Sequence, residues 1–229
     1  MVKALSFFKR RAGMPVEEFQ AYWRARHPDV MTKLPGVRRY VQSHTRTAVY
    51  QDGEPVYDGI AEVWFQNTAA MHALRGTPEL EAVQADEARF IDRSTMGLII
   101  ADDHVIKDDP TPAGAAKGVG FARRKPGMSV EAFQSHWRQV HGPLGASVPG
   151  LRRYVQSHTR LSAYDRGRDP AWDGVALIWF DDSAALRAAT SSPEWAQVRA
   201  DESNFVASGS GAFIAGRPRR ASARSRSRR

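Results

Sequence analysis

Two histidines of this 229-residue chain are placed for proton chemistry, and each keeps the same company. His27 follows Phe19 and Trp23 at intervals of four, and His141 follows Phe133 and Trp137 in the same way. On a helix each trio shares one face. Imidazole titrates near neutrality and shuttles protons, so both histidines are candidate general acids or bases beside an aromatic wall. A histidine at a helix end also serves structure alone, by capping carbonyls and meeting the helix dipole.

A second constellation lies in the string RRYVQSHTR, which occurs at Arg38–Arg46 and again at Arg152–Arg160. As a strand it alternates, so Tyr40, Gln42 and His44 line one face, and Tyr154, Gln156 and His158 do so in the second copy. Buried polar groups cost free energy unless hydrogen-bonded, so such a row marks a polar cavity or a fully paired network. Facing the helix, it completes a pocket with an aromatic wall in each copy. Facing the other way, it lines the space between two sheets or forms a hydrogen-bond ladder that orients them.

The elements that must position these residues are written twice. Gly13, Met14, Val16, Glu17, Phe19, Gln20, Trp23, Arg24, His27, Pro35 and Gly36 return 114 residues later. After one inserted residue, Asp58, Gly59, Trp64, Phe65, Pro78, Glu79, Asp86, Glu87 and Phe90 return as well. The period is that of a whole domain, too long for a solenoid unit. Within a copy, Lys3–Lys9 suits a strand. Pro15, or Ser129 as an N-cap, opens a helix with an acidic first turn, which Pro28, or Gly142 with Pro143, then ends. The spacing predicts a long strand over 37–47, a second over 60–65 joined to it as a hairpin, helical turns over 68–75, a helix over 78–91 and a last strand over 98–106. The order β-α-β-β-α-β is ferredoxin-like. The expected class is α+β: two tandem units at 1–108 and 117–215, a linker at 109–116 and a disordered arginine and serine tail at 216–229. Such a unit leaves one sheet face uncovered, so the two copies are expected to pack sheet to sheet as a single-chain equivalent of a dimeric barrel. Pairing of each copy with another chain is the alternative.

Composition removes several functional classes. The net charge of +8 suggests a polyanion partner, but residues 1–114 carry 14 basic and 16 acidic groups and residues 115–216 carry 12 and 9. Seven arginines and no acid occupy 217–229, so any nucleic-acid binding is non-specific and confined to the tail. The absence of cysteine removes thiolate nucleophiles, disulfides and cysteine metal sites. No metal-binding histidine spacing, phosphate loop or dinucleotide fingerprint occurs, although His27 and His44 could meet in space. The expectation is no metal and no cofactor. The N-terminal apolar run is too short for a signal-peptide core, and no stretch approaches a membrane span. A cytoplasmic protein is expected. His72, His104 and His136 lack counterparts in the other copy and are expected on the surface.

The segment Phe133–Leu144 with its His141-Gly-Pro-Leu ending, then Pro149–Val155 and later Asp201, Glu202 and Phe205, resembles the EthD family. The first copy matches through Phe19, Trp23, His27, Pro35, Gly36, Arg39, Tyr40 and Asp86–Asp92, but reads His27-Pro-Asp-Val at the motif. The resemblance covers nearly the whole chain except linker and tail. It implies a dimeric α+β barrel, with relatives that include ether-degradation accessory proteins, a lactone isomerase, and dehydratases or decarboxylases of aromatic polyketide pathways. It also makes one of Asp86 and Glu87, and one of Asp201 and Glu202, a pocket or interface group where the residues alone suggest a solvated helix face. The expected function is cofactor-independent acid-base chemistry, of isomerase, lyase or monooxygenase-like type, on a small hydrophobic or aromatic carbonyl compound. The catalytic candidates are His141, Tyr154 and His158, with His27, Tyr40 and His44. Phe133, Trp137 and Gln156, with Phe19, Trp23 and Gln42, are the substrate-binding ones. The alternative is an accessory protein that carries such a compound; a further homodimer is also a possible assembly.

Overall fold

The computed structural model describes residues 1–165, 167 and 169–208, and residues 212–220 as backbone. Both repeats follow the β-α-β-β-α-β order. The first runs through β1 (Val2–Arg10), α1 (Val16–Ala25), α2 (Pro28–Met31), β2 (Val37–Thr45), β3 (Gly59–Phe65), α3 (Thr68–His72), α4 (Pro78–Glu87) and β4 (Ile91–Asp108). The second runs through β5 (Ala116–Ala122), α5 (Val130–His136), a π-helical turn at Trp137–His141, α6 (Gly142–Ala146), β6 (Leu151–Thr159), β7 (Gly174–Phe180), α7 (Ser183–Ala189), α8 (Pro193–Phe205) and β8 (Ala212–Arg220). By contact the chain divides between Leu98 and Ile99, inside β4.

In the first unit β3 lies antiparallel between β1 and β2. In the second the order is β8-β5-β7-β6, antiparallel throughout, with Ala101–Asp108 of β4 added beside β6. Strand β8 takes in residues 216–220 of the segment expected as tail, and residues 221–229 lie outside the described ones. Among the described residues no helix is long and apolar enough to cross a membrane.

Local chemistry sets the boundaries. Ser129 accepts from Ala132 N, Thr77 from Leu80 N and Ser192 from Trp195 N, so each hydroxyl caps a helix start. Two expectations need correction. The last strand begins at Ile91 and not at Leu98: the helix expected over 78–91 ends at Glu87, and past it the Phe90 carbonyl accepts from Arg11 N at 2.8 Å, which ties the chain to the end of β1. Gly142 and Pro143 do not end the helix of the second repeat: they form the first turn of α6, where proline's missing N–H is harmless. His141 therefore lies at a joint between helices, and His27 likewise immediately precedes α2.

The repeated Asp-Gly pair has two distinct roles. Asp58 accepts from Arg10 N at 2.8 Å, from the Arg10 guanidinium at 2.7 Å and from the Tyr50 hydroxyl at 2.5 Å. Asp173 holds Arg124 and Tyr164 in the same way. Each carboxylate thus ties the end of one strand to the start of another. The following glycine makes room for an indole: a Cβ on Gly59 would lie 2.5 Å from the Trp23 ring, and one on Gly174 would lie 2.3 Å from the Trp137 ring. Gly174→Ala is expected to destabilise the protein by about 1–3 kcal/mol through overpacking, seen as a lowered urea midpoint with unchanged slope. A midpoint equal to that of the parent would show that the indole is not seated on this glycine.

Candidate functional site

The polar row faces the helix in both repeats. In the second, Trp137 Nε1–H donates to the Tyr154 hydroxyl at 3.2 Å, and Gln156 Nε2–H donates to that hydroxyl at 3.0 Å and to the Trp137 carbonyl at 2.7 Å. In the first, Trp23 bonds Tyr40 at 2.9 Å, and Gln42 bonds Tyr40 at 3.2 Å and the Trp23 carbonyl at 2.7 Å. Both lone pairs of each tyrosine oxygen are thereby engaged. Among the described residues neither hydroxyl proton has an acceptor. Burial pushes the Tyr154 phenol up to about 12 against the lowering effect of Gln156 and Trp137, so it is a donor and not a base at neutral pH.

His141 Nδ1 lies 2.9 Å from Asp201 Oδ2. A carboxylate only accepts, which assigns the proton to Nδ1 and leaves Nε2 basic. Asp201 is held in turn by His136 Nε2 at 2.9 Å and Asn204 Nδ2 at 3.0 Å. Burial raises the Asp201 carboxyl, but bonds from Asn204, His136 and His141 outweigh it and hold the group below its ordinary value. Burial lowers the His141 pKa below its ordinary value, more than Asp201 raises it, which favours the neutral ring. His27 pairs with Asp86 at 2.8 Å, and burial lowers its pKa as well. The residue that steadies Asp86 there is Tyr22, whose hydroxyl donates at 2.6 Å; it is the counterpart of His136.

In the second unit these groups border one cavity of about 340 Å³. His141, Tyr154 and Trp137 line it, with Phe121, Val148, Leu151, Ile178, Val198 and Phe205 as apolar walls and Trp195, Arg199 and Glu202 from α8. Gly145 is needed for its shape, since a Cβ there would come 2.8 Å from the Tyr154 ring. The equivalent position in the first repeat is the buried Met31.

The remaining sequence candidates fall elsewhere. His158 is not a wall of this cavity; its ring stacks on Trp137 at 4.6 Å, Nε2 meets Gln156 Oε1 at 3.0 Å, and His104 lies 4.5 Å away. His44 sits against Trp23 at 4.2 Å and bonds Gln42 in the same manner. Gln156 and Gln42 are buried connectors, while Phe133 packs on Trp137 and Phe205, and Phe19 on Trp23 and Phe90. His136 and His104 are half-buried and partnered, against the expectation that they are surface residues; His72 is exposed. Sequence reasoning passed over Trp195 and Arg199. Their signal was available: from Trp195 the positions 195, 198, 199, 202 and 205 mark one face of α8. Among the described residues no group of three or more histidine, aspartate and glutamate side chains is gathered for a metal ion.

Comparison with known proteins places this site in context. The EthD domain model matches residues 11–94 and 125–209. An uncharacterised 11.0 kDa protein from the thcB-thcC intergenic region of Rhodococcus erythropolis is 30% identical over 78 residues, 34% of this chain and 73% of that one. Among solved structures, an anthrone oxidase-like protein is similar over 97% of this chain and 94% of its own, at 12% identity and a TM-score of 0.68. A candidate monooxygenase from Lactobacillus acidophilus matches over 96% and 94%, at 11% identity and a TM-score of 0.55. A mutant chlorite dismutase from Candidatus Nitrospira defluvii matches over 95% and 90%, at 10% identity and a TM-score of 0.53. At these identities the likeness is one of fold.

The buried histidines give stability a definite pH dependence. Burial first, then His104 and Arg138, lower the His158 pKa from 6.5 to about 3. The stability this neutral ring contributes is complete above pH 6.5 and is lost as pH falls towards 3, at up to ~1.4 kcal/mol per pH unit. Urea midpoints are expected to fall between pH 7 and pH 4.5, and His158→Phe to flatten that fall. An equally steep fall in the variant would assign the effect to other groups.

Proposed function

The chain belongs to the EthD domain family, and from that premise and the pocket of its second unit we propose a cofactor-independent enzyme that removes a proton beside the carbonyl of a small aromatic compound. The observation that carries this reading is the meeting of a histidine-aspartate pair and a tyrosine proton on one largely apolar cavity. His141 Nε2 takes the C–H proton, and Asp201 steadies the imidazolium through Nδ1–H. The electron pair left on carbon moves into the carbonyl, whose oxygen becomes negative and accepts a hydrogen bond from Tyr154. Trp137 and Gln156 fix the hydroxyl, so little reorganisation accompanies the charge. Trp137, Phe121 and Phe205 keep water from the enolate.

The enolate has three fates compatible with this apparatus: return of the proton at another carbon, expulsion of a leaving group, or reaction with dioxygen. The fold shared with an anthrone oxidase-like protein makes an anthrone a suitable first probe, since its ring methylene is acidified by the conjugated carbonyl. The activity is assigned to the second unit. The first repeat keeps His27, Asp86 and Tyr40 but has Met31, Leu80 and Gln84 where the pocket has Gly145, Trp195 and Arg199.

The protein is expected to accelerate exchange of the anthrone methylene with deuterium oxide, followed by proton NMR. His141→Ala should lower the enzymic rate by about 10²–10⁴ and Tyr154→Phe by about 10²–10³. The rate should be level above neutrality and fall at acid pH, below the ordinary histidine value, since the base must be unprotonated. A rate no faster than buffer, with binding of anthrone retained in the parent and in His141→Ala, would favour the carrier reading.

A further inference from the structure

We propose that the pocket is built for an aromatic ligand that carries an anionic oxygen, a carboxylate or phenolate, recognised by Arg199 at the mouth while its ring occupies the apolar cavity. The inference rests on the pocket assigned above. It starts from the composition of α8. Trp195, Val198, Arg199, Glu202 and Phe205 present one helical face to the cavity. The first repeat has Leu80, Val83, Gln84, Glu87 and Phe90 at those positions. Three of the five residues are unchanged, and the two exchanges add a second indole and a guanidinium. Both additions serve a ligand that is flat and negatively charged.

Arg199 is not consumed by the fold. Among the described residues its one hydrogen-bond partner is Glu202, a neighbour one turn away on the same helix, and its side chain is 59% exposed. A guanidinium carries five N–H donors in a planar fork, so most of them stay available to a carboxylate. Glu202 is also a weak competitor, because burial raises its carboxyl above the ordinary value and Arg199 only partly offsets that. An anion arriving from solvent can take the fork while Glu202 turns away or gains a proton.

Arg199 and His141 both line the one cavity of about 340 Å³. Arg199 is near enough to His141 for its charge to lower the imidazole pKa. A ligand anion seated on the guanidinium cancels part of that field, so the base strengthens when the correct compound is bound. A neutral hydrocarbon of the same shape gains neither the bidentate contact nor this effect.

The test compares 2-naphthoate with 2-acetylnaphthalene, a neutral ketone of nearly the same shape, by isothermal titration calorimetry at low salt. The parent should bind the acid about tenfold more tightly than the ketone. Arg199→Gln, which installs the residue of the first repeat, should bring the acid to the level of the ketone and leave the ketone unchanged. Arg199→Lys should keep part of the preference. Equal affinity for both compounds in the parent, or an acid affinity untouched by Arg199→Gln, overturns the proposal while leaving the pocket itself intact. Gly145→Met, which fills the cavity beside Tyr154, should weaken both compounds. If it weakens neither, or if neither binds the parent, the pocket assignment fails and the proposal fails with it.

Discussion

Each repeat is organised around one indole. Trp137 donates its N–H to Tyr154, offers its carbonyl to Gln156, stacks on His158 and rests on the bare Cα of Gly174. Trp23 has the equivalent contacts with Tyr40, Gln42, His44 and Gly59. A helix laid on a sheet by apolar contact alone could slide by a turn at modest cost. Here a slip would strand several buried polar groups, each worth about 1–3 kcal/mol when unsatisfied. The hydrogen bonds therefore fix register, and the aromatic contacts supply the bulk of the burial. The same register places the tyrosine oxygen with its proton free and the histidine beside it.

The two repeats share one scaffold and differ in the few residues around it, which in the second border a cavity. The network of tryptophan, tyrosine, glutamine and histidine is identical in both, and so is the pairing of histidine with aspartate. What differs lies around it. Gly145 replaces the buried Met31 and allows Tyr154 to come close, while Trp195 and Arg199 replace Leu80 and Gln84. Tyr22 and His136 differ as supports of the aspartate: a tyrosine donates one fixed hydrogen bond, whereas an imidazole can add charge. Duplication lets the surroundings of a shared network diverge between the copies while the network itself is kept.

Much of this was legible from spacing. Period-two alternation put Tyr154, Gln156 and His158 on one face, and the interval of four put Phe133, Trp137 and His141 on another. Alternation does not tell which row member meets a ligand, because that depends on how far along the strand the helix crosses. The crossing places Tyr154 at the cavity, Gln156 beneath it and His158 beyond the indole. Asp201 was ambiguous for a related reason. Its neighbours in sequence are polar, and only the packing of α8 against the helix joint gives it two imidazole partners. His136 was misread because its counterpart is a tyrosine; identity of residue type was a poor guide, since both side chains supply a donor to the same carboxylate.

The π-helical turn at Trp137–His141 has no sequence signature, and it closes on a bond from the Gly142 N–H to the Trp137 carbonyl. Four steps along an α-helix advance about 400°, overshooting a full turn by about 40°. The overshoot accumulates from Phe133 to Trp137 to His141, to about 80° by the imidazole. A wider turn, closed by bonds from residue i to residue i+5, takes up the difference. It also sets the start of α6, so that Gly142 and Gly145 pass close to Gln156 and Tyr154 where larger side chains would collide. The first repeat reaches the same pairing of histidine with aspartate with a shorter helix: α1 stops at Ala25, His27 N lies 3.5 Å from the Tyr22 carbonyl, and His27 begins a new helix with proline at its first position. The His-Gly-Pro-Leu sequence is therefore more than a helix stop. It lets the chain continue past the imidazole without filling the space that the imidazole faces.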